Sequence, residues 1–371
     1  MDRASLLRDA RRIVVKVGTS VLADRELTLP PQFFETLAGQ IDALRRGGIE
    51  VIVVSSGAIA AGRAALGLGR PATLAEKQAA AAVGQIRLVE HYRDALAPHG
   101  HPLGQVLLTH GDFQNRQRFL NARQTLLKLL QLGVVPLINE NDAVSVEEIL
   151  VGDNDNLSAL VAALVDADLL VLLSDVDGLY TANPDDDPGA RRVPWIEDVE
   201  AVLPYARDTA NPGSTGGMRT KLQAAKRAAA YGIATLILHG DDFARWDALT
   251  AGADLGTVFA PAPRLRGRKH WIVHTLKAKG VVHVDAGARA ALLAGGKSLL
   301  PAGVVRVEGR FEPGDPVDVA GPDGRPFARG LASYGASDAA KLCGLRSAEI
   351  EAVLAYKTHE ETIHRNHPAL F

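Results

Sequence analysis

The chain has 371 residues, of which 47% are hydrophobic, 23% charged and 5% aromatic, with 41 basic side chains against 43 acidic ones for a formal net charge of -2. That length exceeds one usual domain, the composition excludes a disordered or fibrous chain, and the near balance of charge excludes a global positive field toward nucleic acid or anionic lipid. A single cysteine, Cys343, excludes an intrachain disulfide and a thiolate zinc site. The first apolar run, residues 13–17, is too short for a signal core or a spanning helix, so a cytoplasmic protein without membrane contact is expected.

Through about residue 260, short Val/Ile/Leu runs alternate with longer segments of helical period, which predicts a mostly parallel sheet wrapped by helices. The strands are expected at residues 13–17, 51–55, 103–109, 134–138, 169–173 and 235–238, each apolar enough to be buried on both faces. Phe34, Leu37, Ile41 and Leu44 repeat at three and four before Gly47 and Gly48, and Thr73 with Glu76 reads as a capping box opening an Ala-rich helix.

The motifs fall at the ends of these strands. Lys16-Val17-Gly18-Thr19-Ser20 carries a lysine out of the first strand into a small, hydroxyl-rich turn, where it either snorkels at the sheet end or faces phosphate. Ser56 and Gly57 follow the second strand in the same way, at the carboxyl edge where open α/β sheets bind ligands. After the fourth strand come Asn139-Glu140-Asn141-Asp142 and then Gly152-Asp153-Asn154-Asp155-Asn156, a dense set of carboxylates and amides. Carboxylates hold an ammonium and amides hold a carboxylate, which is the pairing an amino acid requires, although the second segment also reads as the cap of a helix over 157–164. Ser174-Asp175-Val176-Asp177-Gly178-Leu179-Tyr180 follows the fifth strand. Thr215-Gly216-Gly217-Met218-Arg219-Thr220-Lys221 opens a helix whose first amides and Lys221 suit a nucleotide phosphate. A proline-punctuated basic stretch at 261–269 breaks the pattern, and beyond residue 280 short strand-like runs at 281–284, 304–307 and 317–319 between Gly, Pro and Asp turns suggest a small β-rich barrel.

Taken together, Lys16-x-Gly18, Asp175 to Tyr180 and Gly216 to Lys221 resemble the amino-acid kinase family, whose members include aspartate, acetylglutamate, carbamate and uridylate kinases. Asn139 to Asp142 with Gly152 to Asn156 is similar to its glutamate-phosphorylating branch, and the tail, with Ser298-Leu299-Leu300-Pro301-Ala302-Gly303, resembles a PUA domain. The resemblance covers nearly the whole chain and implies an α/β three-layer sandwich with a mostly parallel central sheet, plus a PUA barrel. It divides the chain into a kinase domain at 1–262, a linker at 263–279, a PUA domain at 280–358 and a tail at 359–371. It also implies transfer of a phosphoryl group from ATP, with Mg²⁺, to the side-chain carboxylate of L-glutamate, the first step of proline synthesis.

By the same resemblance Lys16 and Lys221 contact ATP phosphates, Asp155 orients both lysines and Gly57 offers its amide near the transferring phosphate. Ser56, Asp142, Asn154 and Asn139 hold glutamate, while Ser174, Asp175, Thr215, Gly216, Gly217, Met218, Arg219 and Thr220 line the nucleotide site; no protein metal ligand is assigned. Proline is expected as a feedback inhibitor, a glutamyl-phosphate reductase as a transient partner, and a homo-oligomer, dimer or tetramer, as the assembly. Ser174, where relatives often carry Thr, and Ser214, where glycine is common, depart from the pattern without removing a charge. Two alternatives stay open: another member of the family, acting on acetylglutamate, aspartate or uridylate, and RNA binding through the PUA domain with Arg264, Arg266, Arg268 and Lys269. The solvated linker is the commoner reading of that basic run, and RNA is not an expected partner.

Overall fold

The computed structural model describes residues 3–22, 29–69, 73–144, 154–184, 186–203, 217–262, 278–294, 297–357, 359–363 and 369–370. The chain forms two compact units, Met1–Arg264 and Leu265–Phe371. The expected linker at 263–279 falls almost wholly outside the described residues.

The first unit is built on β1 (Arg12–Val17), β2 (Glu50–Ser55), β3 (Leu103–Leu108), β4 (Val135–Glu140), β5 (Leu169–Ser174), β6 (Trp195–Ile196), β7 (Ala234–His239) and β8 (Thr257–Phe259). They form one sheet in the order β3-β4-β2-β1-β5-β7-β8-β6. Every neighbouring pair is parallel except β7 with β8. Side chains alternate across a strand, so Ile13, Val15 and Val17 of β1 enter one apolar layer with Phe34, Leu37, Ile41 and Leu44 of the helix Pro31–Arg46. Val14 enters the opposite layer with Leu157, Leu160 and Leu164 of the helix Asn154–Leu164 and Leu222, Ala225 and Ala228 of the helix Met218–Ala230. The result is the expected three-layer arrangement.

Strands β6 and β8, of two and three residues, are too short to carry a sequence pattern and were not anticipated. The expectation that every strand is buried on both faces fails at β3, where Gln105 and Leu107 are exposed. As the last strand of the sheet, β3 lacks a neighbour on one side, and its alternating pattern leaves one face wet. The Thr73 and Glu76 capping box forms, with Glu76 N–H donating to Thr73 Oγ1 at 3.2 Å and Thr73 N–H to Glu76 Oε2 at 3.1 Å, and it opens the helix Leu74–Leu96. That helix packs on the helix Ala58–Leu66 at glycines: a Cβ on Gly84 would sit 1.8 Å from Ala58 O, and one on Gly62 would sit 1.7 Å from Ala80 O. The two backbones therefore touch, which no other residue allows.

The second unit carries β9 (Gly280–Val284), β10 (Val304–Gly309), β11 (Pro316–Ala320), β12 (Pro326–Leu331) and β13 (Ala369–Leu370) in the order β10-β9-β11-β12-β13. Val282, Val284, Val304, Val317, Val319 and Tyr334 form its separate core. Described residues from His359 onward join this unit: Ile363 bridges Leu299, β13 pairs antiparallel with β12, and Tyr334 donates to the backbone oxygen of His359. Among the described residues no helix is long and apolar enough to cross a membrane.

Candidate active site

Strand register sets the site. Val17 lies opposite both Ser55 of β2 and Leu173 of β5, so the chain leaves these strands at one level through Gly18, Ser56 and Ser174. The order reverses around β1, since the chain first extends the sheet on the β2 side and then returns to the β5 side, and such a reversal opens a crevice at the carboxyl ends of the strands. Gly18 keeps this point narrow: a Cβ there would lie 3.3 Å from Leu173 O.

Lys16 stands two residues from Val14 and therefore on the same face, beneath the helices Asn154–Leu164 and Met218–Ala230. Asp155 in the first turn of one helix and Lys221 in the first turn of the other converge on it. Lys16 Nζ lies 2.6 Å from Asp155 Oδ1, Lys221 Nζ lies 3.7 Å from Asp155 Oδ2, and Thr220 Oγ1 donates to Oδ2 at 2.7 Å. All three charged groups are buried, with Asp155 2% exposed. Burial alone would raise the Asp155 carboxyl, but Lys16, Lys221 and the hydrogen bonds from Lys16 and Thr220 hold it well below the usual carboxylate range. Two cations on one anion leave a net positive charge at two helix N-termini, whose dipoles add to it. The assembly suits a polyphosphate.

Next to it stands a polar chain of a different kind. Glu140 N–H donates to Asn139 Oδ1 at 2.9 Å, so that oxygen is an acceptor and the rest of the network has one consistent orientation. Asn154 Nδ2 then donates to Asn139 Oδ1 at 3.2 Å and to Ser56 Oγ at 3.1 Å, and Asn139 Nδ2 donates to Gln85 Oε1 at 2.7 Å. Asn154 Oδ1 is sealed from solvent without a partner among the described residues. Asn154 and Asp155 are consecutive, so the polar chain and the charged group meet at one helix terminus.

The structure thus brings together Lys16, Lys221, Asp155, Thr220, Ser56, Asn154 and Asn139. Gly57 starts the helix Ala58–Leu66 from a left-handed conformation, φ +96°, with Leu22 Cδ1 3.5 Å from where a Cβ would be. Asp142 follows β4, half-buried, and burial pushes its carboxyl up to about 6. Ser174 is buried and its Oγ donates to Asp175 Oδ1 at 3.1 Å. Beyond them Gly178, at φ +144°, lets the loop pass Thr257, whose Oγ1 accepts from Leu179 N–H at 2.8 Å. Gly217 precedes the helix Met218–Ala230, which carries Arg219, Thr220 and Lys221 in its first turn. Thr215 and Gly216 lie outside the described residues, as do Gly152 and Asp153. The helix anticipated over 157–164 begins three residues earlier, which places Asn154 and Asp155 in its first turn. Gln85 was not anticipated, because it sits in an Ala-rich helix with no local motif around it; only the fold shows it beside Asn139.

Fold and site together define an α/β protein with a buried Lys16, Asp155 and Lys221 group beside an amide-rich network, and the chain belongs to the amino acid kinase family, whose model matches residues 11–239. Residues 280–354 match the PUA domain model. Curated relatives named Glutamate 5-kinase include one from Geobacter sulfurreducens, 48% identical over 98% of each chain, and one from Myxococcus xanthus, 51% identical over 97% of this chain and 96% of that one. A third, from Pelobacter propionicus, is 49% identical over 98% of each chain.

Proposed function

We propose that this chain is a glutamate 5-kinase, transferring the terminal phosphoryl group of ATP to the side-chain carboxylate of L-glutamate as the first step of proline synthesis. The observation that carries this reading is the contact between the Lys16, Asp155 and Lys221 group and the Ser56, Asn154 and Asn139 chain at a single helix terminus, in a chain about half identical to named glutamate 5-kinases over its full length.

A side-chain carboxylate with a pKa near ~4.3 is ionised at neutral pH and needs no general base. The obstacle is the approach of one anion to another. Lys16 and Lys221 offset it by holding the phosphates from both sides, and Asp155 keeps the lysines apart, desolvated and aimed. In this reading the Gly57 amide donates to the transferring group. Asn139 and Ser56 present donors and Asn154 Oδ1 and Asp142 acceptors to the amino acid, while Ser174, Asp175 and the segment Thr215 to Lys221 line the nucleotide. An oxygen of the glutamate carboxylate attacks the γ-phosphorus, the bond to the bridging oxygen breaks, and ADP leaves with that electron pair.

Among the described residues no group of three or more His, Cys, Asp or Glu is placed to hold a metal ion. Magnesium is commonly carried mainly by substrate phosphates and water, so it arrives with the nucleotide in this reading and neutralises phosphate charge. Proline as feedback inhibitor, homo-oligomerisation, a cytoplasmic setting and handover of the reactive acyl phosphate to a reductase belong to the same proposal. ADP release measured with glutamate, acetylglutamate, aspartate and UMP tests it: preference for glutamate supports the reading, and preference for another acceptor keeps the family and removes the substrate.

A further inference from the structure

Gln85 occupies a position that the mechanism above does not use. Its Oε1 accepts from Asn139 Nδ2 at 2.7 Å, and since Asn139 Oδ1 already takes the Glu140 N–H, turning the Gln85 amide over would set two donors against each other. The orientation is therefore fixed, and Nε2 is a donor. That nitrogen is sealed from solvent and has no acceptor among the described residues. A buried donor of this kind is costly and uncommon in folded proteins, and it calls for a partner that arrives later.

The surroundings say what that partner is. Gln85 and Asp142 line one cavity of about 450 Å³, together with Asn141, Glu140 and the apolar Ile86 and Val89. Along the polar chain Asn139 and Gln85 are one and two hydrogen bonds removed from Asn154, which adjoins Asp155, and Asn139 lies on β4, two strands from Lys16 on β1. The reacting carboxylate of the substrate must face the lysines, so the far end of the chain faces the other end of the amino acid. An α-amino acid presents there an ammonium, which needs an acceptor, and a carboxylate, which needs a donor. Asp142 supplies the first and Gln85 Nε2 the second. The position of Gln85 is itself built in: its neighbour Gly84 presses the helix Leu74–Leu96 against Ala58, directly after Gly57.

We propose that Gln85 is a specificity-determining residue that donates to the α-carboxylate of the acceptor, an inference that rests on the reading of the site as an amino-acid site. The decisive comparison is Gln85→Ala against Gln85→Glu, with glutamate and with 4-aminobutyrate, which is glutamate without its α-carboxylate. A glutamate side chain at position 85 still accepts from Asn139 but lacks the donor and repels a carboxylate.

The inference expects Gln85→Ala to raise the glutamate KM about 10- to 100-fold with the ATP KM unchanged, and Gln85→Glu to be worse. For 4-aminobutyrate, followed as a substrate or as a competitor of glutamate, Gln85→Ala should change affinity less than about threefold. If Gln85 only held Asn139 in place, Gln85→Glu would be the milder change and both ligands would lose equally; either result overturns the inference. Melting temperatures check folding, with Gln85→Leu in place of the alanine variant if that one is unstable. A wild-type enzyme that ignores glutamate would remove the acceptor reading and this inference together, whereas an active wild type with the variants out of order removes the inference alone.

Discussion

Replacing Asp155 with asparagine keeps the shape of the site and deletes the anion between two buried lysines. At an effective dielectric of about 20, Coulomb attraction at 2.6 Å and 3.7 Å is about 6 and about 4 kcal/mol, and the desolvation of all three ions offsets much of it. Removing one partner of a buried pair typically costs about 3–5 kcal/mol. Here the loss leaves two like charges facing each other, so the upper end of that range is expected for Asp155→Asn.

Polyphosphate restores the missing negative charge, and ligand at about 100 times its Kd stabilises a native state by about 2.7 kcal/mol even without that effect. Mg-ATP should therefore narrow the gap between the variant and the wild type. Urea unfolding followed through Trp195 and Trp246, in a Trp271→Phe background so that the signal comes from the first unit, measures it. Equal stability of variant and wild type without nucleotide, or a gap that Mg-ATP does not reduce, would mean that Asp155 does not neutralise the two lysines. Because its folded carboxyl lies below the ordinary range, the contribution of Asp155 is complete at neutral pH and is lost only as the pH falls below about 4 toward that depressed value.

Lys16→Ala and Lys221→Ala should each lower kcat by about 10²- to 10³-fold in folded protein, checked by steady-state rates beside circular dichroism; near-normal turnover would take that lysine out of catalysis. The Asp142 carboxyl is pushed up to about 6, and only its ionised form offers an ammonium a negative charge. The glutamate KM should rise about tenfold per pH unit below that value while the ATP KM stays level, and a flat profile between pH 5 and 7 would remove Asp142 from the amino-acid site. For stability the sign is opposite, since a raised folded pKa favours the folded state as the pH falls from about 6 toward about 4. Gly84→Ala drives a methyl to within 1.8 Å of Ala58 O, so it should lower the melting temperature by several degrees and raise the glutamate KM; a variant with both unchanged would mean that the helices separate freely.

The strands were legible because buried parallel strands are apolar runs of their own length, as at β1, β2 and β5. The edge position of β3 was not, since exposure on one face depends on which strand is last in the sheet. Lys16, Asp155 and Lys221 could each be picked out as polar groups next to strand ends or helix starts, yet their convergence depends on strand register and on two helices covering the same face. Ser56 and Asn154 are 98 residues apart and meet through one hydrogen bond, which no local spacing encodes. Gln85 lay hidden for the same reason, in a helix whose pattern reports only how it packs.

In the proposed reaction the acceptor is the side-chain carboxylate of glutamate. Incubating the purified chain with Mg-ATP, glutamate and hydroxylamine, and quantifying glutamyl hydroxamate against ADP, tests it most directly. Hydroxamate should accumulate in step with ADP and be absent without glutamate. ADP release with no hydroxamate, or hydroxamate only from another carboxylic acid, would contradict it.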